Sequence, residues 1–309
     1  MYYQPPRALG LLVGTILSFW AAAVALALID NGLTSEIGIP GMVSYAVAMA
    51  VAALALLFAY WTYGLATLSY ALDRNGLIIA WGPTRQVIPL GSIERLVPGT
   101  SVGVPRIAGI TWWGHHIGRA TIERIGDVLF YSTHQSADQV LYVMTSERNY
   151  AISVEDPAGF AQEIQVRQDL GSTADVTHHV ERSGAAAQGF WSDRTGIGLV
   201  LIALAAGAAV WAQIGVRYAE LPSTLELHFL ATELSPIVTV VSRETILELP
   251  RVASIVLAVN LALGVLLHGW DRVAGYVLFI VATVIQLAFF AALVIALDWT
   301  QSVRVVAST

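Results

Sequence analysis

The chain has no cysteine and no lysine, so every basic side chain is an arginine. Without cysteine there is no disulfide, no thiolate metal ligand and no thiol nucleophile. Without lysine there is no Schiff-base amine. Charge of either sign is scarce: charged residues are 12% of the 309, against about 25% in soluble domains. The net charge of −6 argues against general nucleic-acid binding, which needs a cationic surface facing phosphate. The chain also lacks a phosphate-cradling Walker loop, a dinucleotide fingerprint, a nucleophile elbow and an H-E-x-x-H helix, so no motif names a reaction.

What the chain has in abundance is apolar. Hydrophobic residues make up 56% of it, and the mean hydropathy is +0.66. Five uncharged stretches can cross a bilayer: 11–29, a second within 41–72, then 195–216, 252–267 and 273–297. The first follows a lone Arg7 and reads as a retained helix, because no clear small-residue cleavage site lies beyond it. The last two are separated only by "HGWDRV" and read as a helical hairpin with Asp271 and Arg272 at its turn.

The sequence between the second and third stretches has another character. "GLIIAWG", "TRQVIPL", "DVLFYST" and "QVLYVMT" are short, β-rich runs separated by polar turns. Asn75-Gly76 and Gly82-Pro83 are hairpin and turn signals. "DPAGFAQEIQVRQDL" has helical spacing, with Asp156 as cap and Pro157 in the first turn. The expectation is a multi-pass α-helical membrane protein with an inserted small antiparallel β domain closed by a helix.

The boundaries follow. Residues 1–68 form a membrane hairpin, 69–170 the β domain, 171–194 a flexible linker and 195–216 the third helix. Residues 217–250 form an extracytoplasmic segment, 251–298 a second hairpin and 299–309 a tail. Residues 69–166 are expected to fold largely without the helices. Ten arginines fall between Arg74 and Arg194, whereas the loop after the first helix carries Asp30 and Glu36 and no base. The positive-inside tendency then puts the N-terminus and β domain in the cytoplasm of a bacterial inner membrane and the C-terminus outside.

The run Leu72, Asp73, Gly76, Leu77, Ile79, Gly82, then Arg85, Ile88, Pro89, Leu90 and Ile93, resembles the bacterial pleckstrin-homology-type (PH) domains of membrane proteins. "GDVLFYST", "QVLYVMTSERNYAIS" and "EDPAGFAQEI" continue the likeness. It implies two small, roughly orthogonal sheets closed by a C-terminal helix, and little chemistry. Asp73, Arg74, Arg85, Glu94 and Arg95 mix signs, which disfavours a phosphoinositide pocket. "LPSTLELHFLATELSP" is similar to a short segment in a second family of small bacterial membrane proteins, through Leu221, Pro222, His228 and Phe229. Glu226 and Glu233 depart from that pattern, where it has proline and glycine.

Six residues stand out as candidate binding or interface positions. Trp112 and Trp113 suit a membrane interface, a domain core or a subunit contact. Glu226 and His228 share a face if their segment is extended, and Phe229 points the other way. That pairing suits a structural hydrogen bond better than acid–base work or metal binding. Asn260 can cross-link membrane helices. No catalytic residue, metal site or cofactor is expected. The adjacent pairs His115-His116 and His178-His179 read as loop or solvated histidines. The function expected is a non-enzymatic scaffold or adaptor, whose partners are the lipid bilayer and another membrane protein or a second copy of itself. The alternatives are an accessory subunit of a larger complex and, behind it, a transporter or ligand-binding protein using the His228 region.

Overall fold

The structure, a computed structural model, describes residues 1–35, 38–183, 189–229 and 237–307. It divides into two compact units, one of residues 1–24 and 50–187, the other of 25–49 and 188–309.

The first unit begins with a two-residue strand, β1 (Tyr2–Tyr3). It takes in the first part of α1 (Ala8–Thr34) and the last part of α2 (Ile39–Ala66). The chain then turns into β2 (Ser69–Leu72), β3 (Gly76–Trp81), β4 (Thr84–Pro89) and β5 (Ile93–Pro98). After a long connection come β6 (Ala108–Trp112), β7 (His115–Ile122), β8 (Gly126–Ser132), β9 (Val140–Thr145) and β10 (Asn149–Ser153). Helix α3 (Pro157–Leu170) and β11 (His179–Arg182) complete the unit. One sheet has the order β1-β2-β3-β4-β11, the other β5-β9-β10-β8-β7-β6. All pairs are antiparallel except β8 with β10.

The sequence explains these elements locally. Gly82 adopts φ +53° in the turn between β3 and β4, a conformation glycine takes without steric cost. Asp156 accepts from the Gly159 amide at 2.9 Å and so caps α3, with Pro157 in its first turn. Phe160 and Ile164, four apart, face the sheets.

The core of this unit joins Leu77, Ile79 and Ile88 of the first sheet to Val143, Tyr150 and Ile152 of the second, with Phe160 and Ile164 beneath. Leu65 and Leu68, at the end of α2, belong to the same core and are fully buried. The core of the β domain is therefore continuous with the end of the helix it follows. Each such leucine stabilises by about 1.5–3 kcal/mol. A second apolar cluster lies on the other face of the second sheet. There Phe130, Val140 and Tyr142 are covered by Val102 and Ile107 of the connection before β6. This two-sided cover explains why β9 reads as an unbroken apolar run and not as an alternation.

The stretch 171–194, read from sequence as linker, carries more structure than that. β11 adds to the free edge of β4. The Asn75 carboxamide oxygen accepts from Thr173 N at 2.8 Å and Ala174 N at 3.1 Å. A polar, serine-rich composition hid this, because the pairing is made by backbone and the strand's side chains stay exposed.

The second unit is a bundle of α4 (Arg194–Arg217), α5 (Glu248–His268) and α6 (Arg272–Ala307), with a hairpin of β12 (Thr224–Phe229) and β13 (Ile237–Ser242) between α4 and α5. Val210, Ile214, Tyr218, Leu247, Leu293 and Leu297 form its main core. Polar bonds cross between helices. Gln286 Nε2 donates to Ala253 O at 2.8 Å, and Trp211 Nε1 donates to Ser254 Oγ at 2.9 Å. Among the described residues, five helices are long and apolar enough to cross a membrane, two of them reaching into the first unit. The chain is a membrane-associated helical protein with a β-rich PH-like insertion.

Candidate functional site

The β6–β7 hairpin brings the tryptophan and histidine pairs to one end of the second sheet. Trp112 pairs with His115 across the turn, and His116 lies opposite Ser132 of β8. Neighbours in a strand face opposite ways, so each pair is split.

On one face, His115 is fully buried with its ring against Trp112 at 4.3 Å, and neither ring nitrogen has a hydrogen-bond partner. Burial, aided by the neighbouring His116, pushes its pKa down to about 3. Trp112 donates from Nε1 to Gly10 O in the first turn of α1 at 3.0 Å. Gly10 and Gly114 approach so closely that a Cβ on Gly10 would strike the Gly114 carbonyl. The turn is thus pinned to the start of a membrane helix, and the indole of Trp113, 77% exposed, projects beside it.

On the other face, His116 stacks on His134 at 4.2 Å, and His116 Nε2 lies 3.1 Å from His134 O. His134 Nδ1 lies 2.9 Å from Ser132 Oγ. Burial brings His134 down to about 4 and lowers His116, which its bond to the carbonyl partly offsets. Both imidazoles are neutral at pH 7. They line a cleft of about 470 Å³ together with Leu9, Val104, Trp113 and Ser136.

A second polar cluster lies in the other unit. Asp193 caps α4, its Oδ1 accepting from Thr195 N at 3.0 Å. Its Oδ2 accepts from His268 Nε2, at the end of α5, at 2.7 Å, and from the Tyr276 hydroxyl in α6. These two donors, Tyr276 foremost, hold the Asp193 carboxyl well below the usual carboxylate range. Phe190 and Phe279 wall the cluster. The arrangement ties three helix ends to one carboxylate.

The residues singled out from sequence fall in different units, Trp112 and Trp113 in the first and Glu226, His228, Phe229 and Asn260 in the second. Trp112 is a packing residue and Trp113 is the exposed one. Glu226, His228 and Phe229 fall on β12, opposite Val240, Val238 and Ile237. Their side chains lie outside the described residues, as does Glu233. Asn260 donates to Val256 O of its own helix at 2.9 Å; the bond expected of it between helices is made by Gln286. His178 is docked rather than solvated, 2.7 Å from the Tyr150 hydroxyl, while His179 is exposed. Asp193, Tyr276 and His134 were missed. Only Asp193 had a local signal, an acidic residue directly before an apolar helix. Among the described residues, no group of three or more His, Asp or Glu is placed to hold a metal ion.

No curated protein and no solved structure matches the chain. The segment 221–236, likened above to a second membrane family, has no family match behind it. The β domain does: residues 68–168 match the family model of the bacterial PH domain.

Proposed function

We propose that the protein is a non-enzymatic membrane scaffold or adaptor that holds its PH-like domain at the cytoplasmic face of the bacterial inner membrane for a membrane-protein partner or a second copy. The observation that carries this reading is the shared core. Leu65 of α2 and Leu68, just past the helix end, are buried among the side chains of the β domain, so the domain is presented rigidly. The bias of arginine toward 74–194 supports the cytoplasmic placement. β6 supports the binding role, as the end strand of its sheet with side chains mostly exposed; such edges take an added strand from a partner. The non-catalytic reading is supported by the Asp193 carboxylate, which is engaged with a helix cap, His268 and Tyr276.

The test is affinity capture of the full chain at native expression, after crosslinking in intact membranes. A stoichiometric membrane protein, or a dimer of the chain, is the expected result. A monomer with no partner in the crosslinked membrane overturns the reading.

A further inference from the structure

We propose that the cleft between the β6–β7 turn, the β8–β9 connection and the first turn of α1 holds the headgroup and glycerol region of one membrane phospholipid. This rests on the membrane reading above and adds a ligand to it. Four observations lead there.

The first is position. Leu9 lines the cleft and belongs to the first turn of an apolar helix of 27 residues. The second is continuity. Leu12 and Ile16, 59% and 57% exposed, follow Leu9 at helical spacing and form one open apolar face leading away from the cleft. Acyl chains lying along that face bring the ester and phosphate groups into the cleft. The third is the lining. Leu9, Val104 and Trp113 supply apolar wall, and His116, His134 and Ser136 supply neutral polar groups. Among the described residues, neither a carboxylate that would repel phosphate nor a guanidinium lines it, and His116 and His134 are its only titratable groups, with His115 behind them on the opposite face. The volume, about 470 Å³, suits a headgroup and glycerol unit. The fourth is proton placement. When the Ser132 hydroxyl donates to His134 Nδ1, the imidazole proton sits on Nε2, which is left to donate to a phosphate or ester oxygen. The exposed Trp113 ring, apolar with one N–H, fits the same depth.

The test is native mass spectrometry of the full chain extracted in mild detergent, followed by titration of delipidated protein with phosphatidylglycerol and phosphatidylethanolamine. The wild type is expected to retain one phospholipid. Trp113→Ala combined with His134→Ala should weaken binding at least tenfold. Ser136→Trp, an exposed position that fills the cleft without touching the core, should do the same should the double variant fail to fold. A wild type that carries no lipid yet partitions into membranes overturns the cleft alone, as does undiminished binding in folded Ser136→Trp. A chain recovered outside the membrane overturns the reading beneath it.

Discussion

His268 donates from Nε2 to Asp193 Oδ2 at 2.7 Å, joining the last residue of α5 to the cap of α4 across 75 positions of sequence. The Tyr276 hydroxyl reaches the same oxygen from α6. One carboxylate thereby joins the facing ends of α4, α5 and α6.

Replacing Asp193 should lower thermal stability in detergent in a definite order. Asp193→Ala removes the cap and both side-chain bonds; Asp193→Asn keeps one oxygen, enough for the cap but with an NH2 group where Oδ2 accepted from His268 and Tyr276, so it should fall between alanine and wild type. The pH dependence has a fixed sign. A carboxyl held below its ordinary value contributes stability that is complete above about pH 4 and is lost as pH falls toward the folded value. The wild-type advantage over Asp193→Asn should therefore be full at pH 7 and shrink only below about pH 4. Melting curves at pH 7, 5 and 3.5 check this; an advantage constant across that range contradicts it.

His115 gives a slope of the same sign in a higher pH window. A histidine whose folded pKa is depressed to about 3 contributes fully above its ordinary value, about 6.5, and loses that contribution as pH falls toward the folded value. Between those limits the loss runs to about 1.4 kcal/mol per pH unit for one group. Its two ring nitrogens are buried without partners, a condition that costs about 1–3 kcal/mol. His115→Phe keeps an aromatic ring against Trp112 and removes both nitrogens. The variant is expected to be more stable at pH 7, by about 1 kcal/mol, and to show a shallower acid slope. His116 and His134 retain the remainder. Denaturant unfolding at pH 7 and 5 measures both effects, and an unchanged slope rejects the assignment.

The five membrane stretches and the β insertion were legible because long apolar runs and turn residues are local signals. So was α3, from Asp156, Pro157 and the spacing of Phe160 and Ile164. The clusters were not, because register and packing create them. His116 and His134 are 18 positions apart and meet only because β7 pairs with β8 through His116 and Ser132. Asp193 and Tyr276 are 83 apart. β11 escaped notice because edge pairing uses backbone groups, which composition does not report. Trp112 and Trp113 were visible as a pair, but the turn decides which one is buried.

The shared core changes what a soluble fragment needs. Residues 69–166 lack Leu65 and Leu68, whose burial amounts to about 3–6 kcal/mol together. That is comparable with the whole stability of a small domain, about 5–15 kcal/mol. The fragment also lacks β1, the Met1 amine before it, which donates to Leu72 O at 2.8 Å, and β11. A fragment of residues 65–183 should melt at clearly higher temperature and give better dispersed amide signals than 69–166. Equal melting temperatures would show that the helix end adds nothing.

Two glycines in the helical unit separate packing from propensity. An added methyl group gains up to about 1 kcal/mol of helix propensity at either position. At Gly198 of α4 nothing lies within 4 Å of the added carbon, so Gly198→Ala should be neutral or stabilising. At Gly264 of α5 the added carbon would overlap the ring of Phe279, which is itself fully buried and packed on Phe190. The ring has no free space to enter, and overpacking of this kind costs about 1–3 kcal/mol. The cost exceeds the propensity gain, so Gly264→Ala should lower the melting temperature in detergent. The same substitution should also disturb the nearby His268, since His268 lies one turn further along α5 with its ring 5.4 Å from Phe190. Coupling between Gly264→Ala and Asp193→Asn in a double-mutant cycle measures that. Strict additivity together with an unchanged Gly264→Ala melting temperature would mean that α5 and α6 do not pack through this glycine.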